Sequence, residues 1–347
     1  MLAELGGRLF REAFAHENTP EDMQAYLGRH FTPAALSALL AAPSSQVLIL
    51  EEEEEVPIGW ALLLSGEAVE IRRFYVDRRF QGGDAAPTLM QASLERARAL
   101  GAGRIWLAVW EHNGRARRFY ARHGFRKVGT QPFQLGSDIQ TDEMLSRPVS
   151  FGVTLAIVAG GGATRLGGVC KPLLRVGGRT VLQRLLGLRT LADEVLLASA
   201  DPRIPDDLGL RRVPDLFPGR GAPGGVHSAL AHARSPWVLA VAGDMPFLDG
   251  RAVLPLLEAR RDDVDAVAYT VGGRLEPLAA LYRSALAPRW AAALGSDEPS
   301  FRRLWDGLRG LTLPEAVLRE ATGDTRAVLS LNSVEDMATW VDAPPES

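Results

Sequence analysis

The sequence predicts two α/β domains in tandem, and three observations carry that expectation. The chain has 347 residues, the length of two ordinary domains. Its composition breaks at residues 146–152, SRPVSFG. Beyond the break, VTLAIVAGGG is an apolar run that ends directly in glycines, the way a parallel α/β domain usually opens. The boundary falls at about Val149, with domains over residues 1–148 and 151–347.

The first domain reads helix, helix, then strands. Apolar residues recur at helical spacing over residues 4–15. Thr19, Pro20, Glu21 and Asp22 start a second helix: a hydroxyl to cap it, a proline in the first turn, acids behind. Residues 46–51 and 58–64 are strands, and the acidic run 51–55 between them reads as a solvated hairpin turn. Strands follow at 70–76 and 104–109, with a helix over 88–100 between them. DEMLSRPV, residues 142–149, reads as a closing edge strand.

The second domain alternates. Strands are expected at 154–159, 194–198, 238–242 and 266–270. Helices are expected at 180–191, 225–233, 252–261, 283–294 and 300–308. Short strands separated by helices imply a mostly parallel sheet covered on both faces. Ligands of such sheets sit beyond the carboxyl ends of the strands.

Composition narrows the function classes. The net charge is −3, so no overall basic field recruits nucleic acid. The tryptophans form no stripe on which bases would stack. A single cysteine, Cys170, excludes an intrachain disulfide, and the six histidines show no zinc spacing. No apolar run has the roughly 20 residues of a membrane span. The N-terminus reads as an amphipathic helix rather than a secretory signal. A cytoplasmic location is expected, with no membrane and no nucleic-acid partner.

The glycine-rich stretch 158–171, VAGGGATRLGGVCK, follows the first strand of the second domain. Glycines let backbone N–H groups approach phosphate oxygens. The dinucleotide fingerprint fails because Arg165 stands where its third glycine belongs. The P-loop fails because Gly168, not lysine, follows Gly167. What remains is A-G-G-x-x-x-R-x-G-G-x-x-K-P-L, with Arg165 and Lys171 as two cations able to hold a triphosphate. Farther on, VLAVAGDMPFL (238–248) puts Asp244 at a carboxyl strand end. An aspartate there either ligates Mg²⁺ facing a triphosphate or caps the following turn.

These segments resemble the signature of MobA-like nucleotidyltransferases, LAGG-x-x-x-R-M-G-G-x-D-K. Val158, Ala159, Gly160, Gly161, Arg165, Gly167, Gly168 and Lys171 match, and Cys170 stands where the family has aspartate. Asp215, the segment 219–226 around Gly224, 276–283 and 330–337 extend the resemblance over nearly all of 151–342. It implies a Rossmann-like, nucleotide-diphospho-sugar-transferase-type α/β domain with a mostly parallel sheet. It implies Mg²⁺-dependent transfer of GMP from GTP to molybdopterin, with pyrophosphate released. It places Lys171, Arg165 and Asp244 at the reacting phosphates, Asp215 and Ser199 at the base, and Asn332 at the closing edge. Ser199 replaces the usual asparagine, which leaves CTP or another nucleotide open. Molybdoenzymes or cofactor-delivery proteins are the protein partners the resemblance suggests.

Residues 104–129, RIWLAVWEHNGRARRFYARHGFRKVG, resemble the GNAT acetyltransferase pattern N-x-x-A-x-x-F-Y-x-x-x-G-F at Asn113, Ala116, Phe119, Tyr120, Gly124 and Phe125. The resemblance covers about 1–148. It implies an α+β domain with a mixed sheet, acetyl-CoA as co-substrate, and Tyr120 as the acid that protonates the departing thiolate. Val76, Gln81, Gly82 and Gly83 fall where the family binds CoA, and Asp84 replaces the central glycine of its pyrophosphate loop. Asp84 and Cys170 leave open a further reading, in which one or both halves bind ligands or dock proteins without turnover.

Overall fold

The computed structural model describes residues 2–15, 18–52, 56–136, 138–159, 169–206, 208, 210–295 and 300–342. The chain forms two compact units, Met1–Val149 and Ser150–Ser347.

The N-terminal unit starts with helices α1 (Leu2–Phe14), α2 (Pro20–His30) and α3 (Pro33–Leu40). The Thr19 hydroxyl accepts from the Asp22 N–H at the start of α2, as its sequence position predicts. Strands β1 (Ser45–Glu51), β2 (Pro57–Leu64) and β3 (Val69–Val76) follow. Then come α4 (Ala85–Ala99), β4 (Arg104–Trp110), α5 (Gly114–Arg122), β5 (Arg126–Leu135) and β6 (Asp138–Pro148). The mixed sheet runs β1-β2-β3-β4-β6-β5, with β3 and β4 parallel. The acidic run joins β1 to β2, with Glu53–Glu55 outside the described residues.

One expectation changes: β6 is not an edge strand. It lies between β4 and β5, because the β5–β6 hairpin folds back and inserts its second strand against β4. The nearly continuous burial of residues 142–147 fits that interior place. Two cores cover the sheet. Leu63, Ile71, Leu94, Leu107 and Phe125 belong to the α4/α5 face. Leu9, Phe10, Met23, Trp60 and Leu135 belong to the α1/α2 face.

The C-terminal unit contains β7 (Val153–Val158), the small ribbon β8 (Arg175–Val176) and β9 (Arg179–Thr180), α6 (Val181–Leu185), β10 (Glu194–Ala198) and β11 (Arg211–Val213). It continues with α7 (Gly221–His232), β12 (Trp237–Ala242), α8 (Gly250–Glu258), β13 (Ala266–Val271), β14 (Arg274–Arg283), α9 (Ala287–Leu294) and α10 (Phe301–Asp306). It ends with β15 (Gly310–Pro314), α11 (Glu315–Thr322) and α12 (Val334–Trp340). The sheet runs β11-β10-β7-β12-β14-β13-β15, and β14 alone runs against the others. Core side chains fill both faces: Leu155, Ile157, Leu239 and Val241 on one, Ala156, Val158, Val238 and Ala240 on the other. That two-sided burial is why these strands read as unbroken apolar runs. The helix expected over 180–191 is α6 followed by a 3₁₀ segment, Leu186–Leu191.

Candidate active sites

Four parallel strands, β11, β10, β7 and β12, end side by side in the C-terminal unit, with Val158 level with both Ala198 and Ala242. At about 4.8 Å between strands this crest is roughly 14 Å wide, enough to lay a nucleotide along it. Residues just past the strand ends form its floor: Asp215 after β11, Ser199 after β10, Ala159 after β7, and Gly243 and Asp244 after β12. Close packing shapes that floor. A Cβ on Gly243 would stand 2.9 Å from the Ala159 Cβ, and one on Gly225 would stand 2.6 Å from a Val158 methyl. Glycine at 225 thus lets the first turns of α7 rest directly on the end of β7. Gly224, one residue earlier, lies beside Asp215.

At one end of the crest three predicted residues converge. The Lys171 Nζ donates to Asp244 Oδ2 at 2.9 Å and to Asn332 Oδ1 at 2.6 Å. The elements that hold them differ. Lys171 opens a 3₁₀ turn, Lys171–Leu173, whose Pro172 packs against Gly243. The Asp244 carbonyl accepts from the Leu331 N–H at 3.0 Å, which pins the segment before α12 to the crest. Asp336 then accepts from the backbone N–H groups of Asn332 and Ser333, fixing the approach of Asn332. The Lys171 and Asp244 side chains keep 20% and 17% of their surface exposed, so a ligand can reach both.

Toward the other end, Ser199 Oγ donates to the Ala159 carbonyl and accepts from the Asp201 N–H. Asp215 Oδ1 accepts from the Phe217 N–H. Asp201 is gripped by Arg203 through its backbone and guanidinium, which hold its carboxyl below the usual range. The half-buried Cys170 thiol hydrogen-bonds to Asp201, and burial pushes its pKa up. The thiol is therefore neutral, and a carboxylate still stands beside it.

In the N-terminal unit the distinctive feature is a gap in the sheet. β3 and β4 pair only over Val69–Ile71 and Ile105–Leu107. Past that point their ladder stops, and among the described residues neither strand has a partner on that side. The loop after β3 runs through a 3₁₀ turn (Arg78–Phe80) to Gln81, Gly82 (φ +91°), Gly83 and Asp84, then into α4. The Gln81 side chain donates to the Val76 carbonyl, tying the loop to the strand end. Asp84 makes no side-chain cap on α4. Tyr120, on α5, lies in the α4/α5 core with its ring edge-on to Phe74 of β3. Burial raises its hydroxyl well above the ordinary phenol value, so it stays protonated. Asn113 caps α5, accepting from the Ala116 N–H.

Comparison with known proteins matches each unit separately. The family model for the GNAT acetyltransferases matches residues 8–125, and the model for the MobA-like NTP transferase domain matches 155–311. An uncharacterized N-acetyltransferase of Mycobacterium bovis is 32% identical over 148 residues, spanning 42% of this chain and 94% of that protein. The chain belongs to the GNAT acetyltransferase family through its N-terminal unit and carries a MobA-like NTP transferase domain in its C-terminal unit. A probable molybdenum cofactor guanylyltransferase of Clostridium perfringens is 31% identical over 128 residues, 37% of this chain and 64% of that protein. The crystal structure of molybdopterin-guanine dinucleotide biosynthesis protein A from Archaeoglobus fulgidus is 22% identical, with a TM-score of 0.47 over 53% of this chain and 95% of that one.

Within the NTP transferase domain, the predicted Lys171, Asp244 and Asn332 come together, and Val158, Ala159, Ser199, Asp215 and Gly224 line the crest beside them. Gly160, Gly161, Arg165, Gly167 and Gly168 lie outside the described residues. Within the acetyltransferase unit, Gln81, Gly82 and Gly83 share the loop that Gln81 ties to Val76 at the end of β3, while Asn113 caps α5 and Tyr120 lies in it. Asp201 was not singled out from sequence, although a carboxylate two residues beyond Ser199, at a strand's carboxyl end, is a legible signal.

The donor set at the crest suits one class of metal. Among the described residues no three His, Cys, Asp or Glu side chains are grouped to cage an ion. The Asp244 carboxylate beside Lys171 fits Mg²⁺, which takes one or two carboxylates and completes its shell with phosphate oxygens and water.

Proposed function

We propose that the NTP transferase domain moves a nucleoside monophosphate, GMP from GTP, onto the terminal phosphate of molybdopterin and releases pyrophosphate. The observation that carries this reading is the meeting of Lys171, Asp244 and Asn332 at the crest. When bound with the nucleotide, Mg²⁺ neutralises phosphate charge and aligns the reacting phosphorus. Asp244 orients that ion through its carboxylate. Lys171 leaves Asp244 for the phosphate oxygens and offsets the charge that grows on departing pyrophosphate, a role that the family resemblance assigns to Arg165 as well. Asn332, released by the lysine, closes over the nucleotide. Asp215 accepts from the guanine N–H edge at the far end. The chain supplies no nucleophile, because the acceptor phosphate is already anionic.

The Ser199 hydroxyl has both a donor and an acceptor role inside the fold, which favours a second reading in which the base is read weakly and CTP competes with GTP. Pyrophosphate release from GTP, CTP, ATP and UTP, each with molybdopterin and Mg²⁺, decides between them. GTP preference supports the first reading, and no release from any nucleotide contradicts both.

The acetyltransferase unit transfers the acetyl group of acetyl-CoA to an amine. CoA phosphates meet the loop of Gln81, Gly82 and Gly83 and the amides opening α4, and Tyr120 protonates the leaving sulfur. A rise in melting temperature with acetyl-CoA is expected, and no shift at saturating CoA argues for a domain that docks without turnover.

A further inference from the structure

Asp142 and Glu143 are consecutive acids on β6, and the fold treats them in opposite ways. Glu143 points to the α5 face, where Arg117 and Lys127 both pair with it, at 2.7 and 2.9 Å. Those cations hold its carboxyl below the usual range. Asp142, on the other face, is only 7% exposed, and its Oδ1 has no hydrogen-bond partner. A buried carboxylate oxygen left unpaired is a net cost, so the fold gains nothing from it. Its place in the sheet gives it a use. Asp142 sits opposite Trp110, the last residue of β4, at the open end of the gap between β3 and β4. Alternation puts Tyr120 and Val109 on one face of that gap and Asp142 on the other. The groups facing Asp142 are Tyr26 of α2 and Tyr75 of β3. Both phenols are raised chiefly by burial, with the Asp142 carboxylate adding to it and Arg73 opposing it. Arg73 shares that face: its guanidinium hydrogen-bonds to the Tyr75 hydroxyl, donates to the His30 carbonyl and lies over the Phe31 ring. Gln131 of β5 flanks Asp142 on its second side.

We propose that Asp142 is the catalytic carboxylate that receives the acceptor's primary ammonium and takes its proton, opposite Tyr120 across the gap in the sheet. This rests on the acetyltransferase reading. A thioester threaded between β3 and β4 presents its carbonyl carbon to the Asp142 face and its sulfur to the Tyr120 face. The ammonium gives one proton to Asp142. The freed lone pair forms the N–C bond, the C–S bond breaks, and the sulfur leaves with its electron pair and takes the phenol proton of Tyr120. The nitrogen loses its second proton as the amide forms, which restores the phenol, and Asp142 returns its proton to solvent. Burial raises the carboxyl to about 6, which leaves it ionised yet basic enough for that exchange near neutral pH.

The test is carboxyl ¹³C NMR on the full chain, with Asp142→Asn to assign the signal and methylammonium chloride as probe against sodium chloride at equal ionic strength. The expected result is a titration near 6 that methylammonium, but not sodium, lowers by about one unit, a tenfold preference of the ammonium for the ionised form. An ordinary carboxylate titration, or one that methylammonium leaves unmoved, overturns the proposal. Acetyl-CoA is added separately: a melting shift with acetyl-CoA but no methylammonium effect sinks Asp142 alone, whereas no acetyl-CoA shift sinks the acetyltransferase reading itself. Asp142→Asn is expected to fold, because it removes no hydrogen bond from Oδ1.

Discussion

The two units place a key carboxylate in contrasting surroundings. At the crest of the NTP transferase domain, Asp244 is met by a cation from its own chain, Lys171, at a site still open to solvent. In the acetyltransferase unit, Asp142 is buried without one. The first is poised for a ligand that carries its own cation and brings phosphates for the lysine. The second is poised for a ligand that is itself a cation. Charge complementarity thus separates a phosphate-handling site from an amine-handling one, although both lie where strands end or part.

The sharpest way to break this comparison is to remove the crest carboxylate. Asp244→Ala is expected to cut pyrophosphate release by about a thousandfold or more, with the fold retained. Wild-type turnover would take Asp244 out of the mechanism. Next in size, Tyr120→Phe is expected to slow acetyl transfer by about 10²-fold while leaving acetyl-CoA binding in place, measured as thiol release and melting shift. An unchanged rate would return Tyr120 to the core as a packed aromatic.

Stability sharpens the contrast between neighbouring acids. The folded-state pKa of Glu143 is depressed, so its contribution is present above the unfolded value and is lost as pH falls through the folded one. Asp142 is raised to about 6, so the folded state binds the extra proton, and stability falls as pH climbs from about 4 to about 6. Asp142→Asn is therefore expected to raise the melting temperature at pH 8 and not at pH 4, and Glu143→Gln to lower it at pH 8. The reverse pattern would mean that Asp142 has a partner in solution. Smaller still, Gly225→Ala is expected to cost about 1–3 kcal/mol by pushing α7 off the Val158 methyl, seen in denaturant unfolding.

Much of the fold was legible because its strands are buried on both faces. β7, β10, β12 and β13 are almost wholly apolar, and each is expected from sequence near its observed bounds. β14 escaped because Pro277 lies inside it, and proline argues against an interior strand. The structure accommodates Pro277 at a bulge, where the pairing of β13 with β14 jumps from Ala280 to Glu276 between Ala268 and Tyr269. β11, at three residues, is too short to leave a pattern. β6 was expected, but not its interior place, because strand order in a hairpin that folds back is a tertiary matter. Lys171, Asp244 and Asn332 were singled out from sequence, and the structure brings the three together. Asp142 was not, since TDEM within an alternating strand does not tell a paired acid from an orphaned one. Only the positions of Arg117 and Lys127 do that.

The most direct test of the crest is the melting temperature with GTP, with Mg²⁺, and with both, in wild type and Asp244→Ala. The account predicts a rise in wild type that needs GTP and Mg²⁺ together and is lost in the variant. An equal rise in Asp244→Ala, or one that Mg²⁺ does not affect, would contradict it.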